Sequence, residues 1–275
     1  MLVSHRNRII TGGILGPVIL LILWQGGWGM FAGLFAVVCA VGLLEFLGML
    51  FPQDRTLVAG AAAIGILPPL AAVYFQDPGA VILAFGLVLF VTACFFVLSI
   101  SRWDSPVEAW SKVLFAIFYM GITTVHIALL RGLPGGRELV LFLLLVIFSG
   151  DVAAYYVGCT MGRHKLCPRV SAGKTLEGAV GGLAANAVMA VVLWFFWFPE
   201  ADPRLLVLIA LLLGCVGQTG DLAESVVKRS VGVKDSGRIL PGHGGVLDRL
   251  DAVLMAAPFF YWIVIFLLRR GVSLT

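Results

Sequence analysis

Long apolar runs follow one another along nearly the whole chain, separated by short polar breaks. A helix needs roughly 17–25 mostly apolar residues to cross the hydrocarbon core of a bilayer. Nine stretches meet that requirement: 9–24, 28–50, 56–75, 79–100, 109–130, 138–161, 176–198, 204–227 and 250–268. Pro68-Pro69 interrupts the third, and proline is tolerated in membrane helices whose neighbours satisfy the freed carbonyls. The pattern predicts an all-α polytopic membrane protein of about nine transmembrane helices, a single membrane domain over 1–275. No soluble domain, long linker or inverted repeat of the transporter kind stands out.

Polar chemistry is distributed unevenly over these spans. Residues 1–130 carry little of it and read as scaffold or lipid-facing helices. Residues 138–268 carry nearly all of it, concentrated in two motif loops at 162–175 and 228–249. Composition agrees with the pattern: 60% hydrophobic and 12% charged residues exclude an ordinary soluble domain. His5, Arg6 and Arg8 precede the first run as in a secretory signal, but no small-residue cleavage site follows, so that span is expected to be retained. The five cysteines show no paired spacing, and neither a disulfide framework nor a zinc site is expected.

The charges also set an orientation. With nine spans, the N-terminus, the 51–55 turn, the 101–112 region and both motif loops fall on one side. Every Lys and Arg lies there except Arg131, Arg137, Arg204, Arg269 and Arg270. The positive-inside rule therefore puts the N-terminus and both loops in the cytoplasm. Glu45, near the cytoplasmic end of the second span, reads as a structural carboxylate that could snorkel to the interface.

Three clusters could carry chemistry. Asp221, Glu224, Ser225 and Lys228 recur at helical spacing and share one face at the end of the eighth span. Carboxylates inside a span are costly and usually face a cavity or a partner. A Glu224–Lys228 pair at four-residue spacing would be the purely structural reading. Asp248 and Asp251 open the ninth span, where the helix dipole favours carboxylates in any case. If Asp221 and Asp248 converge, their oxygens offer a site for a hard cation, completed by water and phosphates as magnesium prefers. Around them lie Lys228, Arg229, Lys234, Asp235, Arg238, Arg249 and five glycines, Gly232, Gly237, Gly242, Gly244 and Gly245. Cations for phosphate, carboxylates for a metal and glycines for close approach suit phosphoryl or nucleotidyl transfer. His243, between glycines, could be a general base, a phosphate donor or a turn-stabilising residue.

The remaining cluster contains Asp151, Gly162-Arg163, Lys165, Pro168, Ser171-Ala172-Gly173-Lys174-Thr175 and Glu177-Gly178. Its tail approaches a Walker A loop, which needs a glycine where Pro168 stands and a strand before it; that reading is rejected.

The run from Ser225 through Lys228-Arg229, Lys234-Asp235, His243-Gly244-Gly245 and Asp248-Arg249 to Asp251 resembles the signature of the bacterial phosphatidate cytidylyltransferases, or CDP-diacylglycerol synthases. The 150–178 cluster resembles a second signature stretch of the same family, with Ala172 in place of the usual proline and Leu176 where an aromatic is common.

The resemblance implies an integral-membrane nucleotidyltransferase that joins CTP and phosphatidate into CDP-diacylglycerol and pyrophosphate. It implies Asp221 and Asp248 as magnesium ligands, with a second cation such as potassium beside them; Asp151, Glu224 and Asp251 are further candidate ligands. Lys228 and His243 join the two aspartates as candidate catalytic groups. Ser171, Lys174, Thr175, Ser225, Arg229, Lys234, Asp235, Arg238 and Arg249 are candidates to bind substrate. The expected setting is the bacterial inner membrane, with CTP, phosphatidate and the bilayer as partners, no nucleic acid, and a homodimer allowed. An ion-coupled transporter would explain buried carboxylates but not a basic, glycine-rich loop beside them. CDP-alcohol phosphotransferases carry a different paired-aspartate pattern, and a related nucleotide-dependent lipid-alcohol kinase would share a nucleotide site without this signature.

Overall fold

The computed structural model describes residues 21–237, 239, 244–272 and 274. Among them, eight helical segments are long and apolar enough to cross a membrane. They are α1 (Trp28–Leu50), α2 and α3 counted together (Arg55–Gly65, Leu67–Phe75), α4 (Pro78–Leu98), α5 (Pro106–Gly132), α6 (Gly136–Met161), α7 (Leu176–Trp197), α8 (Pro203–Ser230) and α9 (Leu247–Arg269). The protein is an all-α polytopic membrane protein, as the apolar pattern predicts. Most of the first expected span, 9–24, lies outside the described residues. Residues 56–75 form two helices broken at Ile66, just ahead of the prolines that cannot donate to the preceding turn.

Helix starts follow their capping chemistry. Asp54, Asp77 and Asp202 each accept a backbone N–H from the first turn of α2, α4 and α8. Pro78 and Pro203 open two of those helices, where the missing N–H costs nothing.

The chain forms two compact units, one of residues 1–129 with 235–249, the other of 130–234 with 250–275. In the first, Phe46 of α1 meets Phe115 and Tyr119 of α5 edge-on, with ring centroids 5.7 and 5.4 Å apart. Gly42 and Gly65 leave room for Met120 and Ile117 of α5. On α4, Ile82, Leu83, Phe90, Val97 and Leu98 remain exposed, an apolar face suited to acyl chains rather than water.

The second unit is built on close backbone approach. Gly150, Ala154 and Gly158 on α6 face Gly178 and Gly182 on α7, a small-residue seam at four-residue spacing. A Cβ at Gly178 would stand 2.7 Å from the Ala154 carbonyl oxygen, and one at Gly182 would stand 2.9 Å from that of Gly150. Asn186 is buried between Gly150 and Gly214 of α8. Phe142 packs against Phe198 and Phe260 with centroids 5.6 and 5.5 Å apart.

One element departs from the helical expectation. Within the 162–175 loop, β1 (Lys165–Cys167) and β2 (Ser171–Thr175) pair antiparallel, with Lys165 opposite Thr175 and Cys167 opposite Ser171. Pro168-Arg169-Val170 makes the turn. Three- and five-residue strands are too short to register in an apolar pattern dominated by spans.

Candidate active site

In the second unit the site begins at the foot of the hairpin. Thr175 is buried and caps α7, its hydroxyl accepting the Gly178 N–H at 3.1 Å. Gly158 and Gly162 lie against that side chain, which draws the end of α6 to the start of α7. Glu177 accepts the backbone N–H groups of Arg163 and His164 at 3.0 and 3.2 Å, and its other oxygen lies 2.6 Å from His164 Nδ1. The hairpin is thus tied at its base by a cap and a carboxylate. Strand β2 does lead into a helix, as a P-loop requires, but it runs through the Gly-Lys-Thr residues themselves and leaves no phosphate-wrapping loop.

Lys174, next to the cap, reaches α8. Its Nζ lies 2.7 Å from Asp221 Oδ2, with the two side chains 24% and 34% exposed. Asp221 is placed by its own helix: one turn earlier, Gln218 Nε2 donates to the Ala179 carbonyl of α7 at 3.0 Å. Ser225 Oγ stands 3.5 Å from the other Asp221 oxygen. The hairpin thus brings Asp221 a basic partner from outside its own helix. Glu224, 1% exposed, pairs with Lys228 at 3.1 Å, the contact that their four-residue spacing allows. Asp251 is buried, and its Oδ1 accepts the Ala252 N–H at 2.7 Å.

Arg229 Nε donates to the Val170 carbonyl at 3.4 Å, so a candidate phosphate ligand also holds the hairpin turn. Ser171 is half-buried on β2; Asp151 on α6 and Lys234 beyond α8 are exposed.

The first unit holds the rest of the signature. Asp248 Oδ2 accepts Ser236 N–H at 2.8 Å, Ser236 Oγ–H at 2.9 Å and Gly245 N–H at 2.8 Å. Gly244, at φ +81°, takes a left-handed turn that a side chain would strain, and a Cβ there would stand 2.6 Å from the same Asp248 oxygen. Asp235 and Arg249 are exposed. Arg238 and His243 lie outside the described residues.

Glu45 is a structural carboxylate, as its setting suggests, but not in the way snorkelling would place it. It does not snorkel: it is 6% exposed and accepts the Leu247 N–H at 2.9 Å. The signal was present as a carboxylate in an apolar run, but its partner lies 202 residues away along the chain. Gln218 and Asn186 were missed, although an amide inside a span is a reason to look for a bonded partner.

No three His, Cys, Asp or Glu side chains among the described residues are grouped to hold a metal by themselves. The donors near the hairpin are hard carboxylate and hydroxyl oxygens, and Lys174 is already drawn to Asp221. A set of one or two carboxylates completed by water and phosphate is what magnesium accepts. The residues present fit it.

A profile of the cytidylyltransferase family matches residues 6–267. The phosphatidate cytidylyltransferase of Brucella suis is 39% identical over 259 residues, covering 93% of this chain and 92% of the relative. That of Staphylococcus epidermidis is 36% identical over 260 residues, covering 92% and 96%. With matches of this extent to both a family profile and whole-length relatives, the chain belongs to the cytidylyltransferase family.

Proposed function

We propose that this membrane enzyme joins CTP and phosphatidate to give CDP-diacylglycerol and pyrophosphate. The observation that carries the reading is the pairing of Lys174 with Asp221, which sets a phosphate-seeking cation and a metal-seeking carboxylate side by side in a family of cytidylyltransferases. An oxygen of the phosphatidate phosphate attacks the α-phosphorus of CTP. The new phosphorus–oxygen bond forms as the α–β anhydride bond breaks, and pyrophosphate leaves with the bonding electrons. No side-chain nucleophile is required, and positioning with charge compensation does the catalysis.

On the family resemblance, Asp221 and Asp248 are the residues that would hold magnesium. When bound, magnesium would supply positive charge to the phosphate oxygens. A second, monovalent cation rests on the family resemblance alone. Lys174 transfers its ammonium from Asp221 to the triphosphate as substrate arrives, and exposed Lys234 adds charge nearby in sequence. Arg229, fixed at the hairpin turn, is suited to a lipid phosphate held at headgroup depth. The hairpin and signature segment face the cytoplasm of the inner membrane, where CTP is found, and the proposal holds for a monomer or a homodimer.

An ion-coupled transporter is not favoured, since no described feature calls for one and the relatives are named as transferases. Purified protein incubated with radiolabelled CTP and phosphatidate in detergent micelles should release pyrophosphate and yield labelled lipid only with magnesium. Labelled lipid formed equally well without any divalent cation would refute the metal assignment; no labelled lipid under any condition would refute the reaction.

A further inference from the structure

Glu45 sits near the end of α1, in a span whose other residues are apolar or small. Burying a carboxylate there is costly unless it is bonded. Its Oε2 takes the N–H of Leu247, the first residue of α9. A helix start presents unsatisfied donors and the positive end of the dipole, so a carboxylate is favourable there. The same carboxylate lies against Gly237 and Gly245, each too close to admit a Cβ. Its Oε1 has no hydrogen-bond partner among the described residues.

Asp248 grips the segment from its own side, through Ser236 and Gly245. Two carboxylates therefore hold one short stretch of backbone. Gly245 N–H goes to Asp248, Leu247 N–H goes to Glu45, and Asp248 is the residue that follows Leu247. A shift at Leu247 is carried directly into the aspartate.

We infer that Glu45 is a positioning residue for the signature segment, fixing the first turn of α9 so that Asp248 presents its carboxylate in one orientation. It does this from the half of the chain that otherwise reads as scaffold, without touching the reacting atoms. The effect on turnover rests on the cytidylyltransferase reading; the effect on the segment does not.

Glu45→Leu removes the acceptor while leaving a side chain that membrane helices tolerate. Glu45→Gln keeps one acceptor oxygen for Leu247 and can turn its amide toward the side where Oε1 has no partner. In the full-length protein in detergent, without substrate, hydrogen–deuterium exchange of peptides covering 244–249 should rise in Glu45→Leu and stay near wild type in Glu45→Gln. Turnover in Glu45→Leu should fall roughly 10- to 100-fold, the loss expected for one hydrogen bond to a charged group. The magnesium concentration for half-activation should rise with it, and Glu45→Gln should recover most of both. A merely structural role would lower the melting temperature and the active fraction, leaving the magnesium midpoint where it was. Unchanged exchange over 244–249 in Glu45→Leu, or an unchanged magnesium midpoint, overturns the inference. Should the wild type itself make no CDP-diacylglycerol, the reaction falls while exchange alone still decides whether Glu45 holds the segment.

Discussion

Lys174 and Asp221 illustrate how far single residues could be read. Each was identifiable by its type and setting, Lys174 in a glycine-containing loop and Asp221 in an apolar span. Their pairing at 2.7 Å was not, because it depends on where a short hairpin ends relative to a distant helix. In the proposed reaction the pair makes a specific demand: both groups must leave each other to work on substrate. Lys174→Ala should lower kcat/KM for CTP by roughly 10- to 100-fold, the range for losing one charge-assisted bond, with a smaller effect on the phosphatidate dependence. Asp221→Asn should abolish most turnover, and the double variant should lose less than the sum of the two free-energy changes, since contacting residues couple. Steady-state kinetics varying each substrate separately checks the division; strict additivity would mean the pair is incidental. Asp248 carries a warning of its own. Because one of its oxygens accepts three hydrogen bonds, Asp248→Asn disturbs the segment as well as any metal, so loss of activity there does not isolate ligation.

At the scale of elements, the glycine seam between α6 and α7 decides where the hairpin stands. Gly182 faces a carbonyl oxygen rather than a flexible side chain, so a larger residue must push the helices apart. Gly182→Val should destabilise by about 1–3 kcal/mol, the usual cost of overpacking, and should lower activity through Lys174 and Asp221 moving apart. Gly86 on α4 has open space around its Cα, and Gly86→Ala should leave the melting temperature within error or slightly raised. Thr175→Ala removes the α7 cap and should cost about 1 kcal/mol. Thermal unfolding in detergent, followed by tryptophan fluorescence, ranks all three. Equal tolerance at Gly182 and Gly86 would show that the seam does not set the spacing.

Across the whole molecule, exposed apolar side chains on nearly every long helix agree with a multi-pass protein, and the distribution of Lys and Arg gives the orientation to test. Gly237, central to the signature, is a poor place for a probe because Glu45 occupies the space a Cβ would need. Arg169 at the hairpin turn and Lys234 beyond α8 are both exposed. Cysteines placed there, in a variant without native cysteines, should resist impermeant thiol reagents in intact cells and react in inverted membrane vesicles. Labelling from outside intact cells at either position would reverse the orientation and separate the site from cytoplasmic CTP.

Hydrophobic run length alone was enough for the eight spans among the described residues, since a bilayer permits few other ways to satisfy the backbone. The signature residues and the glycine-rich character of their segment were equally legible, enough to point to the family. The break at Ile66, the β1–β2 hairpin and the capping role of Thr175 are local, but too short or too ordinary in composition to stand out among spans. What only the tertiary structure decided is which polar groups meet: Lys174 with Asp221, Gln218 with the Ala179 carbonyl, Glu45 with Leu247. A buried polar group must find a partner in a medium without water. The sequence shows that the demand exists, but only the packed helices determine which group meets it.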